Sequence, residues 1–542
     1  MPDKMPARSA AGFVILSFLI AAAGAACASA DRGPVLAGPT AAAVDAKLAE
    51  ADAALARGSY AGFKQAASIG AELEALPRRK DKERAVEMYV RALILLRIRE
   101  RQLGIVHSGT GERAKALIQA HSSLTGYADM VDQTEWASVS RSRGIQTDLA
   151  RSVRPINREW TQKDLEKMLA EAKAKQASFR AKAEESDFHA YCYLVFNASM
   201  ASMREGREDF SPIFAQFPES KLMMYLNALR YLREKPDLLE KLAADDPGFH
   251  EAWFHLGEMA LGQGQLLRAE ENFLKAEASL ADTPQIPIYL ASIYTATEEH
   301  EKSLVYYDKT LALSPEYRDA LLGKAISLGS LGRYDEAVAV LNRMIELGNW
   351  LIGEANYWLA WNRHAQGREA EAQAHIEESK GRLPTSSEVF GLAGTIALEL
   401  AQPDRAEKEF LKALEYGASN VEALFGLGRI NDGRGRWSDA AGYYETASKV
   451  IGQREAEIED KIAEIRAAPM AEPRRAAMLA KKEGQLRVTR ATRATAYYDT
   501  AVAWFNAGAP GKAKPAAERA AAHPQFKDKA AVLLAKIDNR EK

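Results

Sequence analysis

The chain carries nine histidines, and the closest pairs are His250 with His255 and His364 with His375. Two histidines that hold a metal from one helix must share a face, usually four residues apart, with an acidic or third ligand nearby. A spacing of five puts His250 and His255 on different faces, and neither pair has an acidic partner at ligand spacing. Both read as surface or packing residues. The stretch HSGTGERAK, His107 to Lys115, has two glycines and a lysine that suggest a phosphate cradle. It lacks the G-x-x-x-x-G-K-[ST] spacing and the parallel-sheet context, so a loop between helices is expected there. Cys192, in HAYCYLVF, stands three residues after His189. A nucleophilic thiolate needs a polar, partly exposed setting, and this run is apolar, so a buried core thiol is expected. No G-x-S-x-G elbow occurs. The 74 acidic residues supply many carboxylate pairs but no pocket that would shift their pKa values for acid–base work. Neither a catalytic residue, nor a metal site, nor a cofactor is assigned.

What elements would position side chains in such a chain? At 542 residues, 47% hydrophobic, 27% charged and formally −2 in net charge, it has the composition of a mostly helical protein without a global electrostatic pull toward nucleic acid. Two cysteines, Cys27 and Cys192, cannot staple a fold or build a structural zinc site. At the N-terminus, Lys4 and Arg8 precede an apolar run from Ala10 to about Ala26, the layout of a bacterial export signal. Two processing sites compete. Ala28-Ser29-Ala30 fits small-x-small cleavage, whereas Gly24-Ala25-Ala26-Cys27 resembles a lipobox, with Gly24 where Leu is usual. The second is preferred, because one of only two cysteines falls at that distance and a Gly/Pro/Ala tether follows. Cys27 is then the lipidation candidate, the only link to a membrane. No later run is long enough to span one.

A unit of about 34 residues then repeats. WFHLGEMALGQGQLLRAEENFLKA presents Trp253, Leu256, Gly257, Gly264, Ala269, Phe273 and Ala276. Equivalent places hold Leu290, Ala291, Tyr294, Ser303, Tyr307 and Pro315, then Ala325, Leu328, Gly332, Ala337 and Leu341, and then Leu359, Ala360, Gly367, Ala372, Ile376 and Pro384. Two further units carry Gly394, Ala406, Phe410 and Ala413, and Leu424, Leu427, Gly428, Gly435, Ala440, Tyr444 and Ala447. Each reads as two helices joined by a short turn. Small residues let the pair approach, an aromatic or aliphatic residue fills the gap to the next unit, and a glycine ends the first helix in a left-handed cap. This period and signature resemble the tetratricopeptide repeat (TPR) family over residues 249 to about 452. The resemblance implies an all-α fold, a right-handed superhelix (α-solenoid) of stacked antiparallel helix pairs.

The domain reading follows from that register. An export signal covers 1–30 and a flexible tether 31–45. An irregular helical domain with TPR-like hairpins covers 46–216, including the Gly58-Ser59-Tyr60 turn and an arginine-rich helix. Thr161 and Asp164 read as a helix cap, and no pattern is assigned between about 108 and 155. The array covers 217–452, a charged helical insertion 453–496, and a degenerate repeat with a capping helix 497–542. The insertion is read as a longer hairpin with a solvated face, the alternative being a basic docking site.

In a TPR stack the first helices line a concave groove. The resemblance implies that Phe254, Glu258, Ile288, Ser292, Leu322, Ile326, Tyr357, Trp361, His364, Thr395, Leu398, Phe425, Arg429 and Asp432 point into it. Aromatic and aliphatic residues predominate, which suits peptide or helix binding. The basic clamp with which some family members hold chaperone tails is missing. Two functions follow: a non-catalytic scaffold binding one or more cell-envelope proteins in this groove, or a transport accessory that captures a small ligand in the array. A periplasmic location, tethered to the outer membrane if Cys27 is lipidated, and no nucleic-acid partner are expected.

Overall fold

A computed structural model describes residues 40–76, 79–103, 105, 108–128, 130–131, 174, 180–200, 210–230, 237–281, 283–348, 351–468 and 470–541. The export signal, Cys27, Thr161 and Asp164 lie outside them. Among the described residues every regular element is helical. The N-terminal part contains α1 (Ala41–Ala56), α2 (Tyr60–Glu74), α3 (Arg79–Gln102), α4 (Thr110–Ala120), a 3-10 turn (Ser122–Tyr127), α5 (Asp187–Met200) and α6 (Ser211–Gln216). Helix α1 starts at Ala41, capped by the Thr40 hydroxyl, so the expected tether to residue 45 is too long by a helical turn. The stretch around Gly109 is not a free loop either. Gly109 is left-handed (φ 69°) and α4 begins at Thr110, because Thr110 Oγ1 donates to Glu100 at 2.9 Å and anchors the new helix to α3.

A short pair, α7 (Lys221–Arg230) and α8 (Asp237–Asp245), leads into the array. Repeat 1 is α9 (His250–Gly262) with α10 (Leu266–Glu277), repeat 2 is α11 (Gln285–Ala296) with α12 (His300–Leu313), and repeat 3 is α13 (Arg318–Ser330) with α14 (Tyr334–Glu346). Repeat 4 is α15 (Ile352–Ala365) with α16 (Glu369–Arg382), and repeat 5 is α17 (Ser387–Glu399) with α18 (Pro403–Tyr416). Repeat 6 opens with α19 (Val421–Gly433) and continues into α20 (Trp437–Ala467). Consecutive helices pack on one another throughout, which makes an all-α solenoid of antiparallel helix pairs.

Two devices set the repeat. Within pairs, the absent side chain of Gly257 admits Phe273, whose ring carbons lie 2.7–3.0 Å from where a Cβ would stand; Gly428 does the same for Tyr444. Both rings are buried, each worth roughly 1.5–3 kcal/mol of burial. Between paired helices the chain turns through one left-handed residue: Gly264, Gly332, Gly367, Gly435 and Gly508 have φ of 70–75°. Repeats 2 and 5 place Glu298 (φ 62°) and Ala401 (φ 56°) there instead. A side chain in that conformation costs roughly 1–2 kcal/mol.

The N-terminal helices join the array through a buried ion pair. Arg99 of α3 and Glu251 of α9 are both fully buried. The Arg99 guanidinium donates to Glu251 Oε1 at 2.5 Å and to the Gly58 carbonyl at 3.0 Å, and lies 3.8 Å from the Tyr225 ring centre. The backbone N–H of Tyr60 donates to the same Glu251 oxygen. Burial works against the charge on Arg99, but Tyr225, Tyr191 and Glu251 more than offset it, so its pKa is raised.

The charged insertion is not a separate element. Helix α20 is 31 residues long and α21 (Glu472–Asn506) is 35, so repeat 6 runs into a hairpin whose returning helix becomes the first helix of a seventh unit. Helices α22 (Pro510–Ala521) and α23 (Lys527–Glu541) close the stack. Ile451, Ile462, Ile465 and Leu486 are buried along the hairpin. Its outer end reaches repeats 1 and 2, where Arg474 meets Glu270 and Glu299 and Lys482 meets Glu298. The solvated face read from the sequence is therefore, in part, a basic face docked within the same chain.

Candidate partner-binding groove

The residues assigned to the groove divide into three sets. Phe254 and Ile288 are only 3% and 5% exposed, so they do not line an open surface. Phe254 is enclosed by His255, Phe273 and Tyr289, with ring centres 5.0–6.2 Å away; Ile288 joins Ala291, Tyr307 and Ala320 in an apolar cluster. At this end of the array large side chains on both neighbouring helices close over these positions. Glu258 is partly exposed, and it is engaged by His255 Nδ1 at 2.8 Å and by the Tyr289 hydroxyl at 3.1 Å.

The middle of the array is different. Leu322, Ile326, Tyr357, Trp361, His364 and Leu398 are all half-buried, each with part of its surface free. Tyr357 and Trp361 sit one turn apart on α15, and Trp358 lies between them at 5.2 and 5.7 Å; Tyr334, opening α14, meets Trp361 at 6.3 Å. Trp361 fits because Gly329 on α13 leaves room, its ring carbon being 3.2 Å from where a Cβ would stand. Burial, with Glu422 and Glu388 nearby, pushes the Tyr357 phenol up to about 12, so it stays a neutral donor. His364 is held by Glu369 at 2.9 Å. These four rings form an apolar ledge with polar edges. Tyr334 and Trp358 belong to it although the register did not assign them. The signal was the adjacency of Trp358 to Tyr357, whereas Tyr334 sits on a second helix whose approach no local pattern announces.

At the far end, Phe425 is half-buried beside Tyr444 (5.9 Å), Arg429 is exposed, and Asp432 accepts the Tyr444 hydroxyl at 2.9 Å. Ser292 is exposed and Thr395 half-buried; both hydroxyls donate to their own helix, to Ile288 and Gly391 carbonyls. Asp499, brought in on α21, was not assigned from the sequence. Burial and then the Asp432 charge push its carboxyl up to about 6. Burial likewise raises Asp432.

The residues weighed for chemistry are dispersed. Cys192 is buried and its thiol is pushed up to about 12 by burial, as expected of a core residue. His189 contacts Ser186 at 2.9 Å. His255 is buried between Tyr225 and Glu258, His250 Nδ1 meets the Lys275 carbonyl at 2.7 Å, and His375 meets Asn356. Among the described residues no three His, Cys, Asp or Glu side chains converge to hold a metal ion, and no helix is long and apolar enough to cross a membrane.

Comparison with known proteins bears on the array. A family profile described as tetratricopeptide repeat matches residues 237–284, 290–350 and 392–450. Human protein O-mannosyl-transferase TMTC1 is 25% identical over 206 residues, 37% of this chain. An uncharacterized protein of Methanocaldococcus jannaschii is 54% identical over 37 residues, 7% of this chain. The chain spans 23% and 43% of the length of these two relatives. The crystal structure of a tetratricopeptide repeat protein from Parabacteroides merdae is similar over 48% of this chain and 98% of its own, at 16% identity and a TM-score of 0.37. Successive helix pairs of one period, with left-handed turns in register and the family profile on most of them, identify the helix pairs between residues 237 and 450 as tetratricopeptide repeats.

Proposed function

We propose that this protein is a non-catalytic scaffold of the bacterial cell envelope that binds an extended or helical segment of a partner protein along repeats 3 to 5. The observation that carries the reading is the ledge of Tyr334, Tyr357, Trp358 and Trp361. Half-buried aromatics on a rigid frame present large contact area at little ordering cost, which is the make-up of binding hot spots. Leu322, Ile326 and Leu398 extend the apolar strip to either side, and Arg429 with Asp432 offers charge at one end. The envelope location is inferred from Lys4, Arg8 and the apolar run that follows, and membrane tethering from Cys27.

A crosslinking pull-down from the native envelope tests it, comparing the unaltered chain with Tyr357→Ala/Trp361→Ala after both are shown equally helical. A partner captured by the first and lost by the second is the expected result. Identical capture by both would place binding elsewhere and end the groove reading. Cys27→Ser should release the protein from the membrane fraction; retention there would rule out a lipid anchor at that residue.

A further inference from the structure

The hairpin of α20 and α21 extends roughly 24 Å beyond Ile451, at 1.5 Å per residue, and its end meets repeats 1 and 2 rather than a neighbour in sequence. Arg474 donates to Glu270 at 2.6 Å and to Glu299 at 2.9 Å. Lys482 donates to Glu298 at 3.1 Å, Gln485 donates to the same carboxylate, and Lys481 donates to the Glu298 carbonyl and pairs with its carboxylate at 3.4 Å.

Three features set this contact apart from incidental surface pairing. Glu298 occupies the left-handed turn position that five other units give to glycine, so the fold accepts backbone strain at the residue that grips the hairpin. Ala401, the other exception, shows that the turn does not itself require a carboxylate. Glu270 is a buried acid, 3% exposed. Its hydroxyl partner is Tyr294 at 2.7 Å, and its cation, Arg474, stands 204 residues away. Finally, among the described residues the apolar clusters that hold repeats 1 and 2 include no hairpin side chain. Charge and hydrogen bonds carry the attachment, without a shared core.

We propose that the hairpin is an electrostatic latch that closes the array on itself, joining repeats 1 and 2 to repeats 6 and 7 through Arg474, Lys481 and Lys482 on Glu270, Glu298 and Glu299. A stack of repeats contacts only its neighbours, so its curvature is otherwise free to vary by small rotations at each interface. The latch ties the two ends together and fixes the curvature of the ledge between them. Opening it lets the array flex around an incoming partner. That consequence rests on the groove reading; the latch itself does not.

The test needs no partner. Nitroxide labels are placed at Val305→Cys on repeat 2 and Ala476→Cys near the hairpin tip, both exposed, in the full chain with Cys27→Ser and Cys192→Ala. The expected result is one narrow distance at low salt that lengthens and broadens in R474E/K481E/K482E and returns when E270Q, E298K and E299K are added, Glu270 being neutralised because R474E would otherwise leave it facing a like charge. A distance unmoved by the triple reversal means that hairpin stiffness alone sets its position and overturns the latch. A distance that moves and is not recovered by the swap overturns these ion pairs as its basis. If circular dichroism shows that the reversed chain has lost helix, the unaltered sequence decides. Salt near 1 M, where the screening length is about 3 Å, weakens the more exposed Lys481 and Lys482 pairs with Glu298 first, so the distance distribution must broaden, and one of unchanged width refutes the latch. Failure of the groove reading would appear separately, as partner capture indifferent to Tyr357 and Trp361.

Discussion

Arg99→Met removes the cation that joins the N-terminal helices to repeat 1. The loss can be worked from what remains. Arg99 makes two short hydrogen bonds, to Glu251 at 2.5 Å and to the Gly58 carbonyl at 3.0 Å, and stacks on Tyr225 at 3.8 Å. Methionine keeps much of the packing but leaves Glu251, fully buried, with the Tyr60 N–H as its remaining donor and Oε2 without a partner. Breaking a buried pair from one side costs about 3–5 kcal/mol, because an uncompensated charge stays behind. At 1.4 kcal/mol per tenfold, native-state hydrogen exchange should show protection in α2, α3 and α9 falling by roughly two to three and a half decades. Repeats 3 to 5 should be nearly unchanged, since coupling in a solenoid passes between neighbours. The double variant R99M/E251L takes both charges away and should recover a large part of the loss. A fall below tenfold, a fall spread evenly over the chain, or a double variant no better than the single would refute the reasoning.

Two further outcomes are expected. A methyl group at Gly323 would overlap the ring of Tyr307, which is 3% exposed, so G323A should lose about 1–3 kcal/mol in urea unfolding. Gly442 in α20 has open space around it, and G442A should gain up to about 1 kcal/mol from helix propensity; the same sign at both sites would contradict the packing described. The third concerns pH. Asp499 titrates near 6 when folded, above the roughly 3.9 of an exposed aspartate. The folded state therefore binds this proton more tightly, and the stabilisation is fully present below about pH 4 and lost as pH rises through 6. Asp432 faces it, with Tyr444 and Arg429 close by. Exchange protection in α19 and the second half of α21 should be higher at pH 5 than at pH 7.5, and D499N should flatten the difference.

The repeat was legible because its determinants are local. Gly264, Gly332, Gly367 and Gly435 end first helices, and Phe273, Tyr307, Phe410 and Tyr444 are buried between helices, as their spacing alone implied. The ledge was legible in part, through Tyr357 and Trp361. Accessibility was not, since it depends on what a neighbouring unit places opposite. Phe254 and Ile288 occupy the same register positions as Leu322 and Tyr357, yet Tyr289 and Tyr307 cover them. Buried polar partners were equally hidden: nothing near Arg99 in sequence points to Glu251, 152 residues away.

The hairpin shows where local reading fails and where it could have gone further. Its charge density was plain, and a run of Arg and Lys on a long helix is solvated in most proteins. What distinguishes Arg474, Lys481 and Lys482 is the identity of the residue they meet, and that residue carries a trace of its role. In a series of turns that mostly select glycine, Glu298 breaks the rule at a conformational cost of roughly 1–2 kcal/mol, and its side-chain hydrogen bonds and ion pairs go to Lys481, Lys482 and Gln485 of the hairpin. A residue tolerated against backbone preference points to a partner outside its own unit. Here that partner is 183 to 187 residues downstream. Replacing Glu298 with glycine therefore separates the two effects: the turn relaxes and repeat 2 becomes locally more stable, while the hairpin loses its central carboxylate.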